Sequence, residues 1–234
     1  MIGVLGGMGP ESTAYTYMRM VRYCQQELGS SFDCDFPPIV MFSMPILDVV
    51  EEGSNDAAVL SALGRGLGVL EKAGASFSFI ACNTMQGFVP ELRKKYEMMS
   101  LVEETLRAAQ RTGVRNWGLL STEVTARKGY YQEAFRSRGM SLVAPDNSAQ
   151  AQVTRAIREI LSGADIAKAG GRLRSVGRCL EAGGADGLVL ACTDLPLALQ
   201  GPDAGMIVLD TADIIARAAV KRYVLESGGP PFLF

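Results

Sequence analysis

The sequence predicts an α/β fold in two lobes, each with a parallel sheet covered by helices on both faces, the lobes related by internal duplication. Three observations carry this. Short apolar runs alternate with longer stretches of helical periodicity along all 234 residues. Leu70-Glu71, Gly74-Ala75 and Ala81-Cys82 return 110 positions later as Leu180-Glu181, Gly184-Ala185 and Ala191-Cys192. The opening Ile2-Gly3-Val4-Leu5 is echoed by Trp117-Gly118-Leu119-Leu120 at a nearly equal offset.

The run at 2–5 is apolar throughout, as a strand buried on both faces requires, and it stops at Gly6-Gly7. Pro10 suits the first turn of the helix expected over 11–28. A strand at 38–43 and a helix at 56–73 follow, then a strand at 77–81 that ends at Cys82. Next come a short helix at 90–95, a strand at 98–101 and a helix at 102–112. The second half reads as strands at 116–120, 140–143, 187–191 and 206–209, with helices at 126–138, 148–161, 165–182 and 211–226. The first lobe is expected to cover 1–97 plus 206–226, which folds back onto it, and to carry Cys82; the second covers 98–205 and carries Cys192. The connection 44–56, with Pro45, Asp48, Glu51, Glu52 and Gly53, reads equally as a lid or as a surface loop. Gly228-Gly229-Pro230-Pro231 cannot continue a helix, so fraying is expected there.

Composition removes several function classes. Lys plus Arg is 23 against 25 for Asp plus Glu, which leaves no basic surplus for nucleic acid or anionic lipid. There is no histidine, so His-dependent triads and zinc sites are excluded and no metal is expected. No run reaches the 18 or more apolar residues of a membrane span. Met1 leads straight into an apolar strand without a charged n-region, and five cysteines are an odd number in a chain too long to need stapling. A reducing cytoplasm is the expected setting.

Ala81-Cys82-Asn83-Thr84 and Ala191-Cys192-Thr193-Asp194 are the sharpest chemical signals. In parallel sheets ligands bind at the carboxyl ends of strands, where both cysteines stand. Backbone amides and helix N-termini favour thiolate there. Asn83, Thr84 and Thr193 offer short amide and hydroxyl groups to a substrate carboxylate. A single such cysteine reads best as a small buried hydrophobe; two in matching contexts favour chemistry. A pair of thiols in one cleft can remove and return a proton on opposite faces of one carbon. Gly6-Gly7-Met8-Gly9-Pro10 allows close backbone approach at a helix N-terminus, but its spacing is not a dinucleotide fingerprint. Thr122 and Thr125 occupy the second lobe's counterpart of that loop and are candidates for hydrogen bonds to a ligand. Cys24, Cys34 and Cys179 lack such company and read as structural or incidental.

With these residues in place, the chain resembles the aspartate/glutamate racemase family of cofactor-independent amino-acid racemases. The Leu-Gly-Gly-Met-Gly-Pro start, Cys-Asn-Thr at 82–84 and Cys-Thr-Asp at 192–194 match its three signatures in order. The similarity extends through Glu103-Glu104-Thr105 and Asp210-Thr211. The resemblance implies two Rossmann-like lobes with the active site in the cleft between them, Cys82 and Cys192 as the acid/base pair, no cofactor, an amino-acid substrate and a homodimer. It also implies that Met8, Asn83, Thr84 and Thr193 contact the substrate's α-carboxylate or amino group.

Two departures stand out. Many relatives carry His two residues after Cys-Asn-Thr, where this chain has Gln86, which cannot titrate. Relatives acting on aspartate place an Arg after the second strand and a Lys before the second Cys. Here 43–64 holds no Lys or Arg, and Ser162 stands near the Lys position, with Arg158 and Lys168 a turn or more away. Racemisation is therefore better supported than aspartate specificity. Two alternatives remain at this point: another Cys-dependent isomerase, lyase or decarboxylase on the same scaffold, and a catalytically silent small-molecule binder.

Overall fold

The computed structural model describes residues 1–46, 56–200 and 205–228. The loop expected within 44–56 and the chain end beyond Gly228 lie largely outside the described residues. The described chain forms two compact units, one of residues 1–46, 56–101 and 212–228, the other of residues 102–200 and 205–211.

The first unit is built on strands β1 (Ile2–Gly6), β2 (Ile39–Ser43) and β3 (Phe77–Ile80), all parallel, in the order β2-β1-β3. Its helices are α1 (Pro10–Glu27), α2 (Asp56–Lys72), the short α3 (Val89–Leu92) and the last helix, α9 (Thr211–Glu226), from Ala212 onward. Ile2, Val4, Phe77 and Phe79 pack with Met20 and Cys24 of α1 and with Ile215, Ala216, Ala219 and Val220 of α9. Outside this core, Arg19 and Arg217 both pair with Asp213, tying α1 to α9.

The second unit holds β4 (Asn116–Ser121), β5 (Ser141–Val143), β6 (Gly187–Ala191) and β7 (Ile207–Asp210) in the parallel order β5-β4-β6-β7. Its helices are α4 (Leu101–Thr112), α5 (Glu123–Lys128), α6 (Tyr130–Arg136), α7 (Asn147–Leu161) and α8 (Ile166–Ala182). Leu120, Leu188 and Leu190 pack with Val153, Ile157 and Ile160 of α7 and with Leu173, Val176 and Leu180 of α8.

The duplication is visible in geometry. Each unit has its first strand at the centre, its second on one side and its third on the other. α2 and α8 begin and end 110 positions apart, and their buried faces match: Val59, Leu63, Gly66, Leu67 and Leu70 against Ala169, Leu173, Val176, Gly177 and Leu180. The repeated Leu-Glu and Gly-Ala pairs form one helix stop made twice. Gly74 N–H donates to the Glu71 carbonyl at 2.9 Å and Ala75 N–H to that of Leu70 at 3.0 Å; Gly184 and Ala185 do the same to Glu181 and Leu180 at 2.9 and 3.0 Å. Both glycines have φ of 94°, a conformation that a Cβ disfavours. The chain then enters β3 or β6 in the same register against the central strand, with Leu5 opposite Ile80 and Leu120 opposite Leu190.

Four expectations are corrected. The segment 206–226 does not go to the first lobe as a whole: β7 joins the second sheet, where it satisfies the backbone of β6, and only the helix beyond Thr211 belongs to the first unit. Thr211 fixes this junction by donating its hydroxyl to the Leu190 carbonyl at 2.8 Å. The first unit also runs to Leu101 instead of stopping at 97. No strand forms at 98–101; a lone parallel bridge between Ser78 and Met98 precedes the start of α4 at Leu101. The helix expected at 126–138 is two, because Gly129 at φ 72° caps α5 and starts α6.

Candidate active site

In the first unit the loop after β1 is shaped by hydroxyls. Thr13 Oγ1 accepts from Gly7 N–H at 2.9 Å and donates to the Gly9 carbonyl at 2.7 Å, and Ser12 Oγ donates to the same carbonyl at 3.1 Å. On the other side Met44 N–H donates to the Gly6 carbonyl at 3.0 Å. Gly7, at φ 92°, has no room for a side chain: a Cβ would lie 2.5 Å from Met44 N. Pro10 opens α1 and its N-cap, Gly9, contributes no capping side chain, so the positive helix end is presented at the carboxyl end of β1 beside half-buried Met8.

β1 and β3 are hydrogen-bonded neighbours, so the residues after Ile80 emerge beside this loop. Cys82, Asn83 and Thr84 are all buried, with 6% of Cys82 still exposed. A 3-10 turn over Thr84–Phe88 brings Gln86 back beneath them. Its Nε2 donates to the carbonyls of Cys82 at 3.2 Å and Ile80 at 3.3 Å, while Oε1 accepts from Leu101 N–H at 2.9 Å and Ser100 Oγ at 3.2 Å. Gln86 thus brackets the cysteine turn through its backbone.

In the second unit the neighbouring strands β4 and β6 deliver the other set. Cys192, Thr193 and Asp194 are buried, and 7% of Cys192 is exposed. The Cys192 thiol donates to Asp194 Oδ2 at 3.6 Å. Thr122 caps α5: its hydroxyl accepts from Thr125 N–H at 3.2 Å and donates to Thr125 Oγ1 at 2.9 Å. Tyr130 OH donates to Thr125 Oγ1 at 3.3 Å, and Gln150 Nε2 holds the Ser121 carbonyl at 3.0 Å. These bonds of Thr122 and Thr125 hold the turn that begins α5.

The structure gathers Met8, Cys82, Asn83 and Thr84 at the strand ends of one sheet, and Thr122, Thr125, Cys192 and Thr193 at those of the other. Sequence reasoning missed the contacts that Gln86 and Asp194 make. For Asp194 the signal was its place in Cys-Thr-Asp itself; for Gln86 it was a long polar side chain with four bonding groups, four positions after Cys82. The remaining cysteines differ. Cys24 sits in the core, where burial pushes its thiol up to about 11, so it stays protonated at neutral pH. Cys34 and Cys179 are exposed, and none of the five cysteines forms a disulfide.

The model of the Asp/Glu/Hydantoin racemase family matches residues 5–219. The chain belongs to that family. Among curated proteins it is 27% identical to the broad specificity amino-acid racemase RacX of Bacillus subtilis (strain 168), over 96% of this chain and 98% of that one. The aspartate racemase of Picrophilus torridus superposes with a TM-score of 0.83 at 25% identity, covering 94% of this chain and 93% of its own. An aspartate racemase homologue from Pyrococcus horikoshii OT3 gives 0.80 at 25% identity, covering 94% and 97%. The glutamate racemase isoform RacE1 of Bacillus anthracis, at 16% identity and a TM-score of 0.71, shares the fold. This member of the racemase family is thus an enzyme of the amino-acid racemase class, built on two Rossmann-like units. Among its described residues no helix is long and apolar enough to cross a membrane.

Proposed function

We propose that this protein racemises amino acids without pyridoxal phosphate, using Cys82 and Cys192 as two bases. The observation that supports this most directly is the equivalent placement of two buried thiols, each two residues beyond the register partner of its central strand, Ile80 in one unit and Leu190 in the other. In the forward direction one cysteine, as thiolate, takes the α-proton, and the other, as thiol, gives its proton to the opposite face. The products are the antipode, a new thiol and a new thiolate, and the reverse reaction exchanges the roles. The α-proton is weakly acidic, so the barrier falls mainly through stabilisation of the carbanion-like transition state. The donors for this are backbone amides of the loop after β1, with Asn83, Thr84 and Thr193, which also hold the α-carboxylate.

The side-chain preference we infer is broad and not confined to acidic amino acids. Residues 43–64 hold no Lys or Arg to pair with a distal carboxylate, and the relative from Bacillus subtilis carries the description "broad specificity".

The test is a panel of L- and D-amino acids incubated in heavy water with wild type, Cys82→Ser and Cys192→Ser, read by chiral chromatography and mass spectrometry. Wild type should yield the antipode with one solvent deuteron at the α-carbon, and each single variant should lose racemisation by a factor of about a thousand or more. Since the two antipodes have equal free energy, kcat/KM must stay equal in both directions for every variant. Full racemisation by either variant overturns the two-base reading, and turnover of aspartate and glutamate alone overturns the side-chain preference.

A further inference from the structure

We infer that Gln86 is a positioning residue for the Cys82 thiol, fixing the backbone from which that thiol projects; this rests on the reading of Cys82 as one of the two bases. The orientation of the amide is determined by its surroundings. Two carbonyls, of Ile80 and Cys82, face one end, and two donors, Ser100 Oγ and Leu101 N–H, face the other. Turning the amide over would set oxygen against carbonyl and N–H against N–H. All four contacts are made by a side chain only 4% exposed.

The geometry has a direct consequence for the thiol. β3 lies at the edge of its sheet, and its ladder to β1 closes with Ala81 N–H donating to the Leu5 carbonyl at 2.8 Å. Beyond that bond, the Ile80 and Cys82 carbonyls are held by Gln86. Holding the Cys82 carbonyl sets the peptide plane after Cys82, and with it the direction of the Cα–Cβ bond carrying the sulfur. Anchoring Oε1 to the first residue of α4 gives the bracket a fixed point outside the turn.

The second cysteine is held by another device. The position 110 residues after Gln86 is Pro196, which has no side-chain donor, and there the thiol itself bonds to Asp194. Two duplicated strand ends have thus acquired different supports, and a change at Gln86 acts on one thiol alone.

The experiment measures the rate of iodoacetamide alkylation at each cysteine against pH, by peptide mass spectrometry, beside racemase kinetics, in wild type, Gln86→Met, Gln86→His and Ser100→Ala. Met keeps the volume and removes all four contacts; His keeps one donor and one acceptor. Gln86→Met should shift the alkylation profile of Cys82 and leave that of Cys192 in place. Its kcat should fall about ten- to a hundredfold, as expected for a displacement near 1 Å, with KM changed less than about threefold. Gln86→His should recover kcat to within about fivefold of wild type. Unchanged Cys82 profile and kcat in folded Gln86→Met overturn the inference. If Gln86→Met does not fold, Ser100→Ala decides, since it removes one donor to Oε1. A loss in kcat of about two- to fivefold with a shift confined to Cys82 supports the bracket, and no change overturns it. If wild type racemises nothing while the Cys82 profile still moves with Gln86, the two-base reading fails and the positioning role stands.

Discussion

Replacing Thr13 by Val keeps the side chain's shape and strips the loop after β1 of its central hydroxyl. That hydroxyl accepts from Gly7 N–H at 2.9 Å and donates to the Gly9 carbonyl at 2.7 Å. The carbonyl retains two donors, Thr13 N–H at 3.2 Å and Ser12 Oγ at 3.1 Å, so its loss is small. Gly7 N–H instead loses its hydroxyl acceptor. A fully buried orphan donor costs about 1–3 kcal/mol; Gly7 is half-buried and water partly replaces the hydroxyl, which places the cost near 1–1.5 kcal/mol. Thr13→Ser keeps both bonds and loses one buried methyl, about 0.5–1 kcal/mol. Urea unfolding should show a lower midpoint for Val than for Ser at unchanged slope. If, as proposed, the N-terminus of α1 receives the substrate carboxylate, the Val variant should also raise KM severalfold while Ser leaves it near wild type. A Val variant within about 0.3 kcal/mol of wild type and with the same KM would refute the account of this loop.

Two further outcomes follow from the fold. Gly74→Ala and Gly184→Ala place a Cβ at φ 94° where nothing lies within 4 Å, so the cost is backbone strain alone, about 1–2 kcal/mol. The two variants should lose equal stability within about 0.5 kcal/mol; a larger gap in calorimetry or urea titration would mean that the two helix stops are not equivalent. Cys24 gives a pH signature. Its folded-state value is raised from 9.0 to about 11, so the unfolded chain ionises first, and stability present below pH 9 is lost as pH climbs toward 11. The loss from this one group is about 2–3 kcal/mol. Cys24→Ala should be less stable at pH 7 yet lose less between pH 9 and 11; parallel pH curves for the two proteins would contradict the burial effect.

The alternation of apolar runs and amphipathic stretches, the repeated helix stop and the two cysteine turns were legible in the chain because each rests on local chemistry. Leu70-Glu71-x-x-Gly74-Ala75 needs only its own carbonyls and N–H groups to end a helix, and a helical face from Val59 to Leu70 is a matter of spacing. The placement of β7 was not legible in this way. Ile207-Val208-Leu209 is an apolar strand in any sheet, and the choice fell to β6, whose edge needed a partner, and to a hydroxyl on Thr211 meeting a carbonyl at Leu190. The same holds at the site. A sequence states that Gln86 follows Cys82 by four positions, but only folding brings Ser100 and Leu101 to its far end and turns a polar residue into a bracket. Propensity and periodicity act over a few residues, whereas the pairing of buried donors and acceptors is settled between segments far apart in the chain.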